Sequence, residues 1–300
     1  MNEQVTLIYN MLSTFAFLWV ALMACVYYIP DPEPVPDIKP PLDKTPAPAS
    51  TPEWSIQGIP LIPKHPHLIK SMTALQSAPK MINWVNKLDK EEMQVKSITV
   101  TDIDWFAANP TPEKLGFVKV SVDAIDLRTN KKIISNIAFI RGDAVAVLIV
   151  VKVIAPSNAI TEYVLLCEQM RLPAGGYRKE ICAGMVDASG NIGSVVLKEV
   201  EEETGFKIKN VNDLIPLGST YTSQGGSDEE VFLYAWTTTI TENEFVEKLS
   251  EVFGNEEEGE EIKLHFTPMS TLRSTGLTQM KDAKAEIAVR RYCATTFADA

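Results

Sequence analysis

Cysteine and histidine are scarce in this chain. Its 300 residues hold four cysteines, Cys25, Cys167, Cys182 and Cys293, and three histidines, His65, His67 and His265. No two cysteines have CxxC spacing, so the chain has neither a zinc-site pattern nor the cysteine density of a disulfide-stapled scaffold. Positive charge is also in deficit. Lys and Arg number 28 against 39 Asp and Glu, a net charge of −11, which argues against nucleic acid as a main partner. No internal repeat is present. Apolar residues are plentiful at 45%, which excludes disorder along the whole length. The length suits two ordinary domains or one large domain with attachments.

Charge is wholly missing from Val5–Ile29, 25 consecutive residues. As a helix rising about 1.5 Å per residue, this run exceeds a hydrocarbon core of roughly 30 Å. Tyr27 and Tyr28 stand where interfacial aromatics sit. The preceding Asn2-Glu3-Gln4 is not basic and Leu22 occupies the −3 place of a potential cut, so a retained single-pass anchor is expected over a cleaved signal sequence. Lysine and arginine near the run are too few to set its orientation or compartment. Nine prolines fall within Pro30–Pro52, a composition for an extended tether. The division expected is an anchor at 1–30, a linker at 31–53, a β-rich extension at 54–140 and a main domain at 141–300.

Within the folded part the patterning predicts a helix over Met81–Lys90. Strands follow at Val95–Thr101, Gly116–Asp126, Lys132–Ile140, Ala144–Val153 and Glu162–Cys167, with Asn130 at a hairpin tip. A helix over Gly193–Thr204 is closed by Gly205. Further elements are a strand at Glu230–Trp236, a helix at Glu242–Phe253, a strand at Ile262–Phe266 and a terminal helix at Asp282–Thr295. Helices mixed with hairpin-connected strands define an α+β class or an α/β sandwich, not a doubly wound parallel sheet.

Acid is concentrated in two places. Glu242–Glu261 carries nine acidic residues against Lys248, and Lys198–Glu203 carries four against Lys198. In the second, Glu199, Glu202 and Glu203 stand at i, i+3 and i+4 and share a helical face. Two readings fit: a solvated acidic face, or a face neutralised by a hard cation such as Mg²⁺ or Mn²⁺ bound through carboxylate oxygens.

The spacing resembles the Nudix box. Gly184 matches its first glycine, and Glu199, Val200, Glu202, Glu203, Gly205 and Phe206 match its terminal cluster. Gly190 stands where the family has its first glutamate, and Lys198 where it has arginine; lysine keeps the charge but loses the bidentate fork. The resemblance continues through Arg141–Ile149, Glu168–Arg171, Glu180–Gly184, the loop Ser223–Glu230, the acidic stretch Glu257–Leu264 and Lys281–Lys284. From about residue 81 onward the chain is similar to nucleoside-diphosphate-sugar and ADP-ribose pyrophosphatases of this superfamily, most of all to plant-type ADP-sugar diphosphatases.

That resemblance implies a Nudix α/β/α sandwich behind a β-rich N-terminal extension. It implies hydrolysis of a nucleoside diphosphate sugar, an ADP-sugar or UDP-sugar, to nucleoside monophosphate and sugar 1-phosphate, with ADP-ribose the nearest alternative substrate. A catalytically weak domain that binds nucleotide sugars is the rival reading that Gly190 and Lys198 motivate. Glu199, Glu203 and the Ala183 carbonyl would bind Mg²⁺ or Mn²⁺, and Glu202 would bind or orient a further metal. Glu260 would be the general base, with Glu257 and Glu261 as competitors. Arg171 and Arg141 would grip the diphosphate, each with a surface or structural role as the alternative. Ser223, Gly225 and Gly226 would form a substrate loop, or a plain turn. Glu180 would support the metal shell or close a strand, and Cys167 and Cys182 would be packed thiols. A homodimer is implied, each site completed by the partner's N-terminal segment.

Overall fold

β7 (Ala144–Ile154) shows how the architecture arises. Its sequence AVAVLIVVKVI is an almost unbroken apolar run, as expected of a strand buried on both faces. Alternation sends Val145, Val147, Ile149 and Val151 into one core and Ala144, Ala146, Leu148 and Val150 into another. The first core is closed by α3 (Ile192–Thr204) through Val195, Val196 and Val200. The second is closed by α5 (Met269–Ser274) and α6 (Ala283–Phe297) through Met269, Leu272, Ala285, Ala288 and Val289. Each large aliphatic side chain so buried contributes about 1.5–3 kcal/mol. The result is a layered α/β/α arrangement.

The computed structural model describes residues 53–186, 190–254, 260–274 and 280–297. The anchor and all of the proline linker but Glu53 lie outside these residues, as does Glu257. Among the described residues no helix is long and apolar enough to cross a membrane.

Around β7 the main sheet adds β8 (Ile160–Arg171), β9 (Gly176–Glu180), β10 (Cys182–Met185), β11 (Ile215–Tyr221), β12 (Glu230–Thr241), β13 (Val252–Phe253) and β14 (Ile262–Pro268). The order is β11-β12-β7-β8-β14-β13, with β10 on the first half of β7 and β9 on the second half of β8. β12 runs parallel to β7, with Val231 opposite Ala144, while the other pairs are antiparallel.

An N-terminal sheet is built from β1 (Ser55–Ile56), β2 (Ile59–Pro63), β3 (Met93–Trp105), β4 (Leu115–Asp126), β5 (Lys131–Lys132) and β6 (Ile137–Ile140). Here α1 (Ile69–Gln76) and α2 (Pro79–Lys87) supply Met72, Leu75, Met81 and Val85 to a third core with Ile98, Val100, Val118 and Val120. Both sheets belong to the unit Thr51–Ala300.

Two expected elements differ. The strand expected at Lys132–Ile140 is split into β5 and β6, because the register on β4 slips by one residue between them. The slip leaves Ile134 90% exposed. The helix expected at Glu242–Phe253 stops at Lys248, giving α4 (Glu242–Lys248). Phe253 instead pairs with Ile262 as β13 and packs on the α3-side core. A capping box starts α4: Thr241 Oγ1 accepts from Glu244 N at 3.3 Å and Glu244 Oε2 accepts from Thr241 N at 2.7 Å. Thr241→Ala should therefore destabilise the fold by about 1 kcal/mol, read as a lower urea midpoint at unchanged slope.

Candidate active site

The site is assembled where α3 crosses β10. Asn191 caps α3 by accepting from Ser194 N at 3.2 Å, and Gly205 ends it at φ +66°, the left-handed conformation that favours glycine. Gly190, just before the cap, also has positive φ (+69°), so the backbone there favours glycine where the family carries glutamate. Val196, Val200 and Glu203 lie along one stripe of α3, at i, i+4 and i+7. The stripe that carries the helix onto the sheet thus carries a carboxylate in with it, and Glu203 is only 4% exposed.

Uncharged groups receive that carboxylate. Glu203 Oε2 accepts from Ala183 N at 3.3 Å, and the buried thiols of Cys182 and Cys167 lie near the carboxylate. Burial raises the Glu203 pKa to about 7; the Cys182 thiol opposes the shift, and the charges of Glu199 and Glu260 add to it. Glu199 lies directly over Gly184, where an added Cβ would overlap its carboxylate. Glu202 diverges from these two. It is half-exposed and pairs with Lys198 at 3.3 Å, so the three-carboxylate face expected above separates into a Glu199–Glu203 pair and an outlying Glu202–Lys198 pair.

Glu260 joins the group electrostatically, since its charge acts on both Glu203 and Arg171. Gly254, at φ +109°, lets the chain close beside it: a Cβ at Gly254 would lie 2.7 Å from the Glu260 carbonyl oxygen. Its competitor Glu261 instead lines a cavity of about 170 Å³ with Glu168, Tyr177 and Lys263. Arg171 is held by Glu180 through Nε–Oε1 at 3.0 Å and Nη2–Oε2 at 3.3 Å.

The other expected substrate residues gather at the start of β7 and β12. Arg141 Nε donates to Glu229 at 2.6 Å and its guanidinium lies over the Phe117 ring at 5.7 Å. Its backbone N donates to Asp228 at 2.7 Å. In the loop before β12, Ser223 O accepts from Gly226 N at 3.0 Å, and Gly226 O accepts from Phe139 N at 2.8 Å. The loop holding Ser223, Gly225 and Gly226 is therefore bonded to β6 of the N-terminal sheet. Sequence reasoning passed over Lys87, which binds Asp143 at 2.6 Å and Glu230 at 3.4 Å and fastens α2 to the same corner. Only a basic residue in the last turn of a helix hinted at it.

Among the described residues no three His, Cys, Asp or Glu side chains form a ready metal cage. The donor chemistry nonetheless fits a hard divalent cation. Glu199 and Glu203 offer carboxylate oxygens, and Glu203 is a buried acid whose donors are all neutral. Mg²⁺ commonly takes one or two carboxylates and fills its remaining positions with water and phosphate oxygens.

An acid pair on the buried side of α3, with Arg171 within its electrostatic reach, thus stands inside an α/β/α frame. A model of the NUDIX domain matches residues 144–288. Nudix hydrolase 14, chloroplastic, of Arabidopsis thaliana is 31% identical over 228 residues, 70% of this chain and 68% of that protein. An ADP-ribose pyrophosphatase of Haemophilus influenzae is 31% identical over 110 residues, 34% of this chain and 46% of that protein. The crystal structure of an ADP compounds hydrolase superposes with a TM-score of 0.40 at 13% identity, covering 68% of this chain and 98% of that one. The chain belongs to the Nudix family and is a Nudix hydrolase.

Proposed function

We propose that the protein hydrolyses the diphosphate bond of a nucleoside diphosphate sugar, an ADP-sugar or UDP-sugar, to nucleoside monophosphate and sugar 1-phosphate, in the presence of Mg²⁺ or Mn²⁺. The observation that carries the proposal is the pairing of Glu203, buried among neutral donors, with Glu199 over Gly184, next to Arg171 and Glu260. ADP-ribose is the second reading, favoured by the similarity to the Haemophilus influenzae protein of that activity.

Glu199 and Glu203 would hold the cation, with the Ala183 carbonyl as a backbone donor and Glu202 at the outer edge. A divalent cation held there would polarise the phosphoryl group and lower the pKa of a bound water. Arg171 spends one edge of its guanidinium on Glu180 and keeps its remaining N–H groups for diphosphate oxygens. Glu260 takes the proton of the attacking water as the new P–O bond forms. The bridging P–O bond breaks, and the bridging oxygen leaves on the other phosphate. The 223–226 loop and Arg141 contribute to substrate binding from the β12 corner.

The same proposal treats residues 54–140 as an extension and 141–300 as the hydrolase domain. It holds the protein on a membrane through Val5–Ile29, and it pairs two copies through the extension. Exposed Ile134, before β6, and Ile137, at its start, support the pairing.

The test is incubation of the full chain with Mg²⁺ and a panel of ADP-glucose, UDP-glucose, ADP-ribose and dinucleotides, with products separated by chromatography. Nucleoside monophosphate plus sugar 1-phosphate is the expected outcome. Monophosphate plus ribose 5-phosphate from ADP-ribose alone would favour the second reading. Tight binding without turnover across the panel would overturn both.

A further inference from the structure

Arg171 does not stand on Glu180 alone. Lys284, in the first turn of α6, donates to Glu180 Oε2 at 2.8 Å, the same oxygen that accepts from Arg171 Nη2. Lys284 also reaches Asp282 Oδ1 at 3.0 Å, and Asp282 Oδ2 accepts from the backbone N of Ile181 at 3.1 Å. Asp282 O accepts from Glu286 N at 3.1 Å, which fixes it at the mouth of α6. Two acids and two bases thus alternate in one chain, Arg171–Glu180–Lys284–Asp282. All but Arg171 are largely buried, with side chains 14% exposed for Glu180 and Lys284 and 8% for Asp282.

The chain links two parts of the sequence more than 100 residues apart. Ile181 and Cys182 follow Glu180 directly, and Ala183 donates to Glu203. The segment that faces the acid pair is therefore the one that Asp282 grips from the start of α6. Lys284 matters most for charge. A bidentate carboxylate facing arginine alone would neutralise the guanidinium and could draw it away from an incoming anion. With Lys284 on the shared oxygen, Glu180 divides its charge between two cations. Burial opposes ionisation of both Glu180 and Lys284, yet each is held in its charged form by the neighbours just named.

We infer that Lys284 and Asp282 are positioning residues for diphosphate recognition, acting through Glu180 to hold the Arg171 guanidinium with its free edge toward the substrate. This rests on the proposed role of Arg171 and goes beyond it, since it ties α6, opposite α3 in the sandwich, to anion binding.

The test is a double-mutant cycle on the full chain, read by ADP affinity in a calorimeter with Mg²⁺ present and by KM and kcat on whichever diphosphate is turned over. Lys284→Met should weaken ADP binding and raise KM about tenfold while kcat changes by less than about threefold. Lys284→Arg should restore most of the affinity. In an Arg171→Ala background, Lys284→Met should add no more than about twofold, because its route is already cut. Removing Lys284 alone leaves buried Asp282 without its cation, so Asp282→Asn/Lys284→Met is the companion variant. It should keep the melting temperature and still bind ADP weakly. Independent, multiplying losses from Arg171 and Lys284 would overturn the inference, as would a Lys284→Met variant with unchanged affinity or a wild-type chain that does not bind ADP. Failure of every panel substrate to turn over would overturn the proposed reaction and leave the ADP cycle to decide this inference.

Discussion

Glu203→Gln should lower kcat/KM by about two to three orders of magnitude without lowering stability. The two effects part because the carboxylate is costly to the fold and useful only to the chemistry. Its folded pKa is about 7 against an ordinary 4.5. The protonated form is thus favoured in the folded state, and the stability it brings is complete below about pH 4.5. As pH rises from there through about 7 that stability is lost, about 3 kcal/mol in the absence of a cation, and the loss is flat above. Glutamine keeps the shape and removes the titration. The cation-free melting temperature of the wild-type chain should fall between pH 5 and pH 8 by more than that of the variant, and scans at the two pH values check this. A cation reverses the sign, because it rewards the ionised form. Added Mn²⁺ should therefore stabilise the wild type more at pH 8 than at pH 6.

Gly184→Ala should be nearly as damaging, by a different route. An added Cβ overlaps the Glu199 carboxylate, and the flexible glutamate side chain gives way before the backbone of β10 does. Stability should change by less than about 1 kcal/mol, while kcat/KM falls about a hundredfold as Glu199 loses its place beside Glu203. Steady-state kinetics with a parallel urea titration separate the two. A Glu199→Ala/Gly184→Ala double variant that is no worse than Glu199→Ala alone would show that the methyl acts by displacing that carboxylate.

Local signals carried much of the architecture. The alternation and unbroken apolarity of Ala144–Ile154 mark a strand buried on both faces, Asn130 adopts the positive φ of a hairpin tip, and Gly205 closes the helix that bears the acids. Spacing also brought Glu199 and Glu203 to one face, because both follow from the helical period. The different fate of Glu202 did not follow from it. Which of three carboxylates goes under the helix depends on how α3 sits on β7 and β10, a tertiary fact. The Glu180–Lys284 contact spans 104 positions, so no local pattern announces it, although both residues lie in segments that resemble the family. The early stop of α4 has the same origin: Phe253 is withdrawn from helix to pair with Ile262, where Lys248 lies over its ring at 4.5 Å. The one-residue slip between β5 and β6 is likewise set by two partners on β4 and not by propensity.

The central claim is that Glu199 and Glu203 together receive a divalent cation. It is tested most directly by Mn²⁺ calorimetry on the full chain near pH 7, in two buffers of different ionisation enthalpy. The account predicts saturable Mn²⁺ binding accompanied by proton release, because Glu203 is partly protonated until the cation arrives. Both the binding and the proton release should be lost in Glu203→Gln. Equal affinity in that variant, or binding with no proton release in the wild type, would contradict it.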